Sequence, residues 1–491
     1  MPNTLEQRGF FWWFNEPDIV HNSKETSIPG LLTVTADGHT TLQIDGALCE
    51  KDEYSAHAAP CPFPIDRRIA GILDTSEKYV LLEGLERSDF FIEDESPQTQ
   101  TITAEICTRR FSEFPLDYLQ CQFTELRIEM KGLEDWLLLD SLIVERDYTD
   151  DEKIRAQVSY REAKISFPCP GGSISIESLT TGTDPGFLWS NREQRSVLIE
   201  QSFYIVFRSD IPTDLQYLQF VFAKVEELIA LLLGSYYRLT RPIFVRKEQS
   251  SDEYITIFYP RDAPSEEAPP RFFYLIPFGK IQHCFGDLFT SWLSGSETFG
   301  AGFYLYVASL RNPHVYVEDR LFNLTTGIEA LHRREHGESA DSLDVTQQKE
   351  KVIRILGLLP KDDPDRHWLA DRLAYAHEPS LRIRVLECLR ELPFQFGKDE
   401  LEKFAKACAN RRNDISHGGG PRGNMDRDSF NLEINRLAEA LGHFFHAILL
   451  HKVGVPDDVL LETWTRGFLA EFRIKPALAS VGLTIKSKIE N

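Results

Sequence analysis

From about residue 8 to 210 the apolar residues fall in short, often alternating runs broken by turn residues, the pattern of half-buried strands. Leu32 and Val34, then Ala36-Asp37-Gly38, then Leu42 and Ile44 read as a hairpin, with Asp-Gly supplying the positive φ angles of the turn. Further strands are expected at 79–82, 121–130, 136–139, 164–167, 173–176 and 197–207, most of them β-branched or aromatic. The aromatic run Phe10, Phe11, Trp12, Trp13 and Phe14 reads as the first strand of a core. A β-sandwich or related barrel is the natural arrangement for so many short strands. Thr213-Asp214-Leu215-Gln216 has the form of a capping box, and a helix is expected from there to about Leu239. Strand-like segments return at 243–246, 254–259 and 272–276, around an exposed loop at 261–270.

Beyond residue 300 the period changes to that of helices, expected at 317–336, 345–358, 365–377, 380–392, 398–417, 427–453 and 456–472. Phe430, Ile434, Leu437, Leu441, Phe444 and Ile448 recur at spacings of three and four, which marks a buried stripe. Leu460, Leu461, Trp464, Phe468 and Phe472 do the same in the last helix. Short loops between such helices favour an antiparallel bundle. The expected fold class is therefore α+β: an N-terminal β-rich, sandwich-like region (1–210), a mixed connecting region (211–300) and a C-terminal helical bundle (301–491).

Composition narrows the function. A chain of 491 residues is too long for one core, and 42% hydrophobic with 26% charged residues is the composition of a folded protein. No run approaches the roughly 18 apolar residues a spanning helix needs, and residues 1–9 lack the basic-then-apolar pattern of a signal peptide. A cytoplasmic location without a membrane partner is expected. The eight cysteines form no CxxC; Cys49, His57 and Cys61 lack a fourth ligand, and His443, His446 and His451 sit on a core-forming helix without ligand partners. No metal and no cofactor is expected, and the glycine runs at 171–172 and 418–420 lack the Lys-Ser/Thr ending of a phosphate-binding loop. The net charge of −22 argues at first against a nucleic-acid partner. It is unevenly placed, however: from Arg311 onward there are 27 basic and 28 acidic residues, against 27 and 48 in the 310 residues before. The acidity disfavours RNA on the N-terminal region only.

The chemistry concentrates in Arg412-Asn413-Asp414-Ile415-Ser416-His417. At about 100° per residue, Leu401, Phe404, Cys408 and Ile415 fall on one side of the helix beginning near Lys398, while Arg412, Asn413, Ser416 and His417 share an arc of roughly 140° on the other. Cleaving RNA without a metal needs a group to take the 2′-hydroxyl proton, one to protonate the leaving 5′-oxygen, and positive charge on the phosphate. Histidine suits the proton work and the planar fork of arginine suits the phosphate. Asn413 could orient His417 or hydrogen-bond the phosphate. One helix supplies one histidine, so a homodimer that joins two copies of this face would supply the second group. Arg411, Arg422 and Arg427 would then add RNA-binding charge around the cleft. Glu329 could face Arg412, although its first reading is a solvated helix position.

Arg-Asn-x-x-x-His near the end of a helix in a C-terminal bundle resembles the signature of HEPN nucleases. The stretch from Ala409 to Gly419 looks like the Apea-like HEPN branch, and Gly327-Ile328-Glu329-Ala330-Leu331 is similar to its first helix. The β-rich start, with Pro29-Gly30-Leu31-Leu32 and the Asp37-Gly38 hairpin, resembles the N-terminal domain of ApeA anti-phage proteins. The resemblance implies a bacterial abortive-infection endoribonuclease that senses a phage-derived protein trigger and then cuts cellular RNA, often tRNA, leaving a 2′,3′-cyclic phosphate. It also implies Arg412 and His417 as catalytic positions, with Asn413 the polar residue after the Arg. The alternatives are a non-catalytic HEPN scaffold that binds RNA or protein, and a ligand-binding β-sandwich carrying a helical dimerisation module.

Overall fold

The computed structural model describes residues 3–14, 27–46, 48, 67–74, 78–93, 96–110, 122–139, 142–148, 154–182, 199–247, 252–261, 265, 269–311, 316–336, 343–373, 378–421 and 425–485. Cys49, His57, Cys61, Cys121 and Arg422 lie outside them. The chain divides into two compact units, Met1–Glu226 with Tyr237–Ala268, and Glu227–Tyr236 with Pro269–Asn491.

Among the described residues the first unit holds fourteen strands: β1 (Asn3–Trp13), β2 (Ile28–Thr35), β3 (Thr40–Asp45), β4 (Ile69–Leu73), β5 (Tyr79–Glu93), β6 (Ser96–Arg110), β7 (Phe123–Glu129), β8 (Leu142–Tyr148), β9 (Ile154–Tyr160), β10 (Lys164–Cys169), β11 (Gly172–Gly182), β12 (Ile199–Thr213), β13 (Ile243–Lys247) and β14 (Asp252–Phe258). Twelve form one sheet in the order β10-β11-β12-β7-β13-β14-β6-β3-β2-β1-β4-β5, and β5 pairs again with β6. The last six strands thus close into a barrel, which removes two open edges, and the other six continue from β14 as an extension. Of the sandwich and barrel alternatives, the barrel forms because β5 is fifteen residues long and bulged between Leu85 and Arg87. It therefore bends enough to pair with β4 on one side and β6 on the other. Strands β8 and β9 make a separate ribbon.

Alternation does the filling. Along β3, Thr40, Leu42 and Ile44 are buried while Gln43 and Asp45 face out. Phe11, Leu32, Val34, Ile69, Val80, Leu82 and Ile102 complete the barrel interior with little or no exposure. Two strand expectations fail. Residues 136–139 lie largely in a one-turn helix, α1 (Glu134–Leu137), which buries the adjacent Trp136 and Leu137 together, something a strand with one buried face cannot do. Residues 272–276 follow a 3-10 turn (Arg271–Phe273) instead of pairing as a strand. There the N–H groups of Leu275 and Ile276 donate to the carbonyls of Leu233 and Leu232, capping a helix end. That helix, α2 (Leu215–Leu233), is shorter than expected, and its first turn is capped by Asp214 accepting from Tyr217 N at 2.8 Å, not by Thr213.

The second unit turns helical at Phe278, before residue 300, with α3 (Phe278–Ile281), α4 (Phe285–Phe299) and α5 (Ala301–Arg311). Next come α6 (Val317–His336), α7 (Leu343–Gly357), α8 (Asp365–Leu373), α9 (Leu381–Arg390), α10 (Lys398–Asn413), α11 (Arg427–Val453), α12 (Asp457–Thr465) and α13 (Lys475–Ser480). Helix α6 lies among α5, α9, α10 and α11. Gly327 makes that possible: a Cβ there would meet Phe445 Cε1 of α11 at 2.6 Å. The stripe read on α11 is buried throughout. The stripe read over 456–472 is not. Leu460 and Trp464 are fully buried, but Phe468 and Phe472 are 42% and 69% exposed. The helix stops at Thr465, Arg466 is extended (φ −136°, ψ 156°) and Gly467 has φ 89°, so the next residues restart out of phase and Ala470 and Ile474 take the buried side.

Candidate functional site

Helix α10 presents Phe404, Ala405, Cys408 and Ala409 to the core, with the Phe404 ring 5.7 Å from Phe444 of α11. Burial holds the Cys408 thiol well above its ordinary range, so it is a packing group. The expected α-helix to residue 417 ends at Asn413. Asp414–Gly418 is a single π-turn, closed by Gly419 in the left-handed region at φ 64°. Ser416 Oγ donates to the Arg412 carbonyl at 2.8 Å, a side-chain bond of the kind that competes with regular helix bonding. The turn matters for geometry. With bonds from residue i to i+5, residues five apart lie nearer to stacking than the 140° of an ideal α-helix allows, which draws His417 toward the side of Arg412.

The structure separates the two adjacent arginines. Arg411 donates from Nη1 to Asp414 at 2.8 Å and from Nη2 to Glu433 of α11 at 2.9 Å, and lies over the Phe430 ring. The Glu433 bond chiefly, despite partial burial, raises its pKa above the usual arginine value. It is thus a tie between α10 and α11. Asp414, only 6% exposed, is the buried carboxylate the motif reading passed over. Arg412 is half-buried, donates from Nη2 to Glu329 of α6 at 3.3 Å, and lies 5.6 Å over the Phe322 ring. Glu329 is therefore an ion-pair partner and not a solvated position. Asn413 Oδ1 lies 3.4 Å from Arg412 Nη1. His417 is exposed and makes no hydrogen bond or ion pair among the described residues. Arg427, at the start of α11, is exposed and likewise without an ion pair there.

Behind Arg412 a charged network fixes Glu329. Arg333 bonds Glu329 at 3.2 Å and Glu378 at 2.7 Å, and Glu378 meets Arg384 at 3.2 Å. Buried His332 bonds Glu387 at 2.7 Å; burial, more than neighbouring charge, pulls its pKa down. Phe322, Glu433 and the π-turn were not read from sequence. The signal for Phe322 was its place seven residues, about two turns, before Glu329 on the same helix, but no spacing announces which helix that face meets.

Among the described residues no group of three or more His, Cys, Asp or Glu gathers as a metal site, and no helix is long and apolar enough to cross a membrane. The histidines of α11 have packing and surface roles: His446 Nε2 donates to the Leu231 carbonyl at 2.7 Å, and His451 faces Asp457 at 3.1 Å.

Residues 322–459, which hold this turn, match the family of Apea-like HEPN domains. Residues 6–292, more than half of the chain, match ApeA N-terminal domain 1. The chain belongs to the ApeA family, with a β-rich N-terminal region followed by a HEPN helical region. No curated protein and no solved structure matches it.

Proposed function

We propose that the protein is an anti-phage endoribonuclease of the HEPN type, cutting cellular RNA by metal-independent attack of the 2′-hydroxyl. The observation that carries this reading is the end of α10, where Arg412, steadied by Glu329 and Phe322, shares a solvent-facing turn with the unengaged His417. The 2′-oxygen bonds to phosphorus as the bond to the 5′-oxygen breaks. A histidine takes the 2′-hydroxyl proton, a second group protonates the 5′-oxygen, and Arg412 neutralises the phosphate oxygens. A homodimer that brings two motif turns together supplies both proton-transfer groups from His417 of each copy. Arg427 adds charge for RNA, whereas Arg411, tied to two carboxylates, serves the turn's shape. The β-rich region is the candidate receptor for a phage-derived protein trigger, and the cytoplasm is where such RNA would be met.

The test is total-RNA integrity and growth in cells carrying the parent, Arg412→Ala or His417→Ala, with and without phage. Cleavage with 2′,3′-cyclic ends and protection in the parent alone are expected. Equal protection by all three without RNA cleavage overturns the reading and favours the non-catalytic scaffold, which the Arg412–Glu329 pair also suits.

A further inference from the structure

We propose that the helical unit binds single-stranded RNA on a second surface, formed by Phe272, Phe273, Phe468 and Phe472 with Arg466 and Arg473. This rests on the ribonuclease reading for its choice of polymer, but stands on different residues from the motif turn.

Phe272, Phe468 and Phe472 are 55%, 42% and 69% exposed. Their rings and that of Phe273 form one cluster, with centroids 4.6 Å apart for Phe272–Phe273, 5.2 Å for Phe272–Phe468, 5.6 Å for Phe273–Phe468 and 4.7 Å for Phe468–Phe472. The rings meet tilted or edge-on, at 36° to 88°, so ring faces stay open to a further planar group. Beside them lies a cavity of about 190 Å³ lined by Phe272, Phe468 and Arg466 among others. An exposed aromatic cluster of this kind marks a binding surface.

Charge decides what it binds. Two carboxylates near these rings in sequence, Glu462 and Glu471, are each taken by a lysine: Glu462 by Lys280 at 2.5 Å, and Glu471 by Lys475. Arg466 on the cavity wall and Arg473 next to Phe472 are exposed and have no ion pair among the described residues. Open ring faces flanked by uncompensated guanidiniums match bases that stack and phosphates that need counter-charge, the combination offered by an unpaired strand and not by a duplex. A strand held here and cut at the motif turn would be gripped at two points.

The test uses the full chain carrying His417→Ala, with a labelled single-stranded RNA of about 16 nucleotides and its duplex, read by fluorescence polarisation. Phe468→Ala with Phe472→Ala should weaken single-strand binding roughly five- to hundredfold, with Tyr at both positions restoring it. Arg466→Ala with Arg473→Ala should flatten the salt dependence. Unchanged affinity in the Ala pair, with an unchanged melting curve, overturns the proposal. So does conversion of an oligomer to a monomer at unchanged RNA affinity, which would make the patch a self-association surface. The ribonuclease reading fails separately, if the chain with an intact motif leaves RNA uncut while this binding persists.

Discussion

The two units spend their arginines differently. In the barrel-bearing unit several guanidiniums are matched internally: Arg110 makes two 2.6 Å bonds to Glu253, Arg208 bridges Glu125 and Glu177, and Arg238 and Arg261 share Glu226. In the helical unit Arg427, Arg466 and Arg473 are exposed and lack ion pairs among the described residues. Net charge therefore misleads when read over a whole chain. What an anion can use is the cation left over after internal pairing, and on the helical side Arg427, Arg466 and Arg473 supply such cations.

The sharpest way to break the contrast is at the motif. His417→Ala removes an exposed side chain without packing duties, so cleavage should fall about 10²- to 10⁴-fold while the melting curve stays in place. A rate that holds while stability drops would reverse the assignment. In the barrel unit the opposite signature is expected. Arg110→Ala removes both bonds to buried Glu253 and should cost about 3–5 kcal/mol in denaturant unfolding. If instead it left stability intact and reduced RNA cleavage, arginines of the first unit would be functional after all.

Much of this was legible because it rests on short-range pattern. The α11 stripe, the Asp37-Gly38 hairpin and, on α10, the burial of Phe404 and Cys408 follow from spacing alone, whereas Leu401 and Ile415 are only half-buried. What was missed depends on partners far away in sequence. Barrel closure needs β5 to meet β6 through a bulge, and Glu329 is functional in appearance only because α6 crosses α10. Phe468 and Phe472 were misread for a local reason, since one left-handed glycine resets the helical phase after Thr465. At the motif the six residues were found, but not their division of labour. Arg411 and Arg412 are neighbours of one type, and only the positions of Glu433 and Glu329 tell them apart.

Acid offers a milder probe, since the helical unit buries neutral histidines. Burial holds His446 at about 4, below its ordinary 6.5. A depressed folded-state pKa means that the unfolded chain binds the proton first. Its contribution is whole above pH 6.5 and is lost as pH falls toward 4, with a limiting slope of about 1.4 kcal/mol per pH unit. His446→Gln, which can still donate to the Leu231 carbonyl, should reduce that slope in denaturant titrations. A slope identical to the parent's would mean that His446 is already protonated or solvated in the fold.

The smallest effect tests how Arg412 is held. Glu329→Gln keeps the shape and a hydrogen-bond acceptor but removes the charge facing a guanidinium that is itself partly exposed, so solvent screens much of the loss. Cleavage should fall by no more than about tenfold, mainly in kcat if Glu329 aims Arg412 at the phosphate in the transition state. The competing expectation is a gain, because removing a carboxylate frees Arg412 for the RNA and lowers local repulsion of phosphate. A rise in RNA affinity with unchanged kcat would show that Glu329 restrains the arginine in the resting protein, and the contrast between matched and spare cations would then be a matter of state as well as of position.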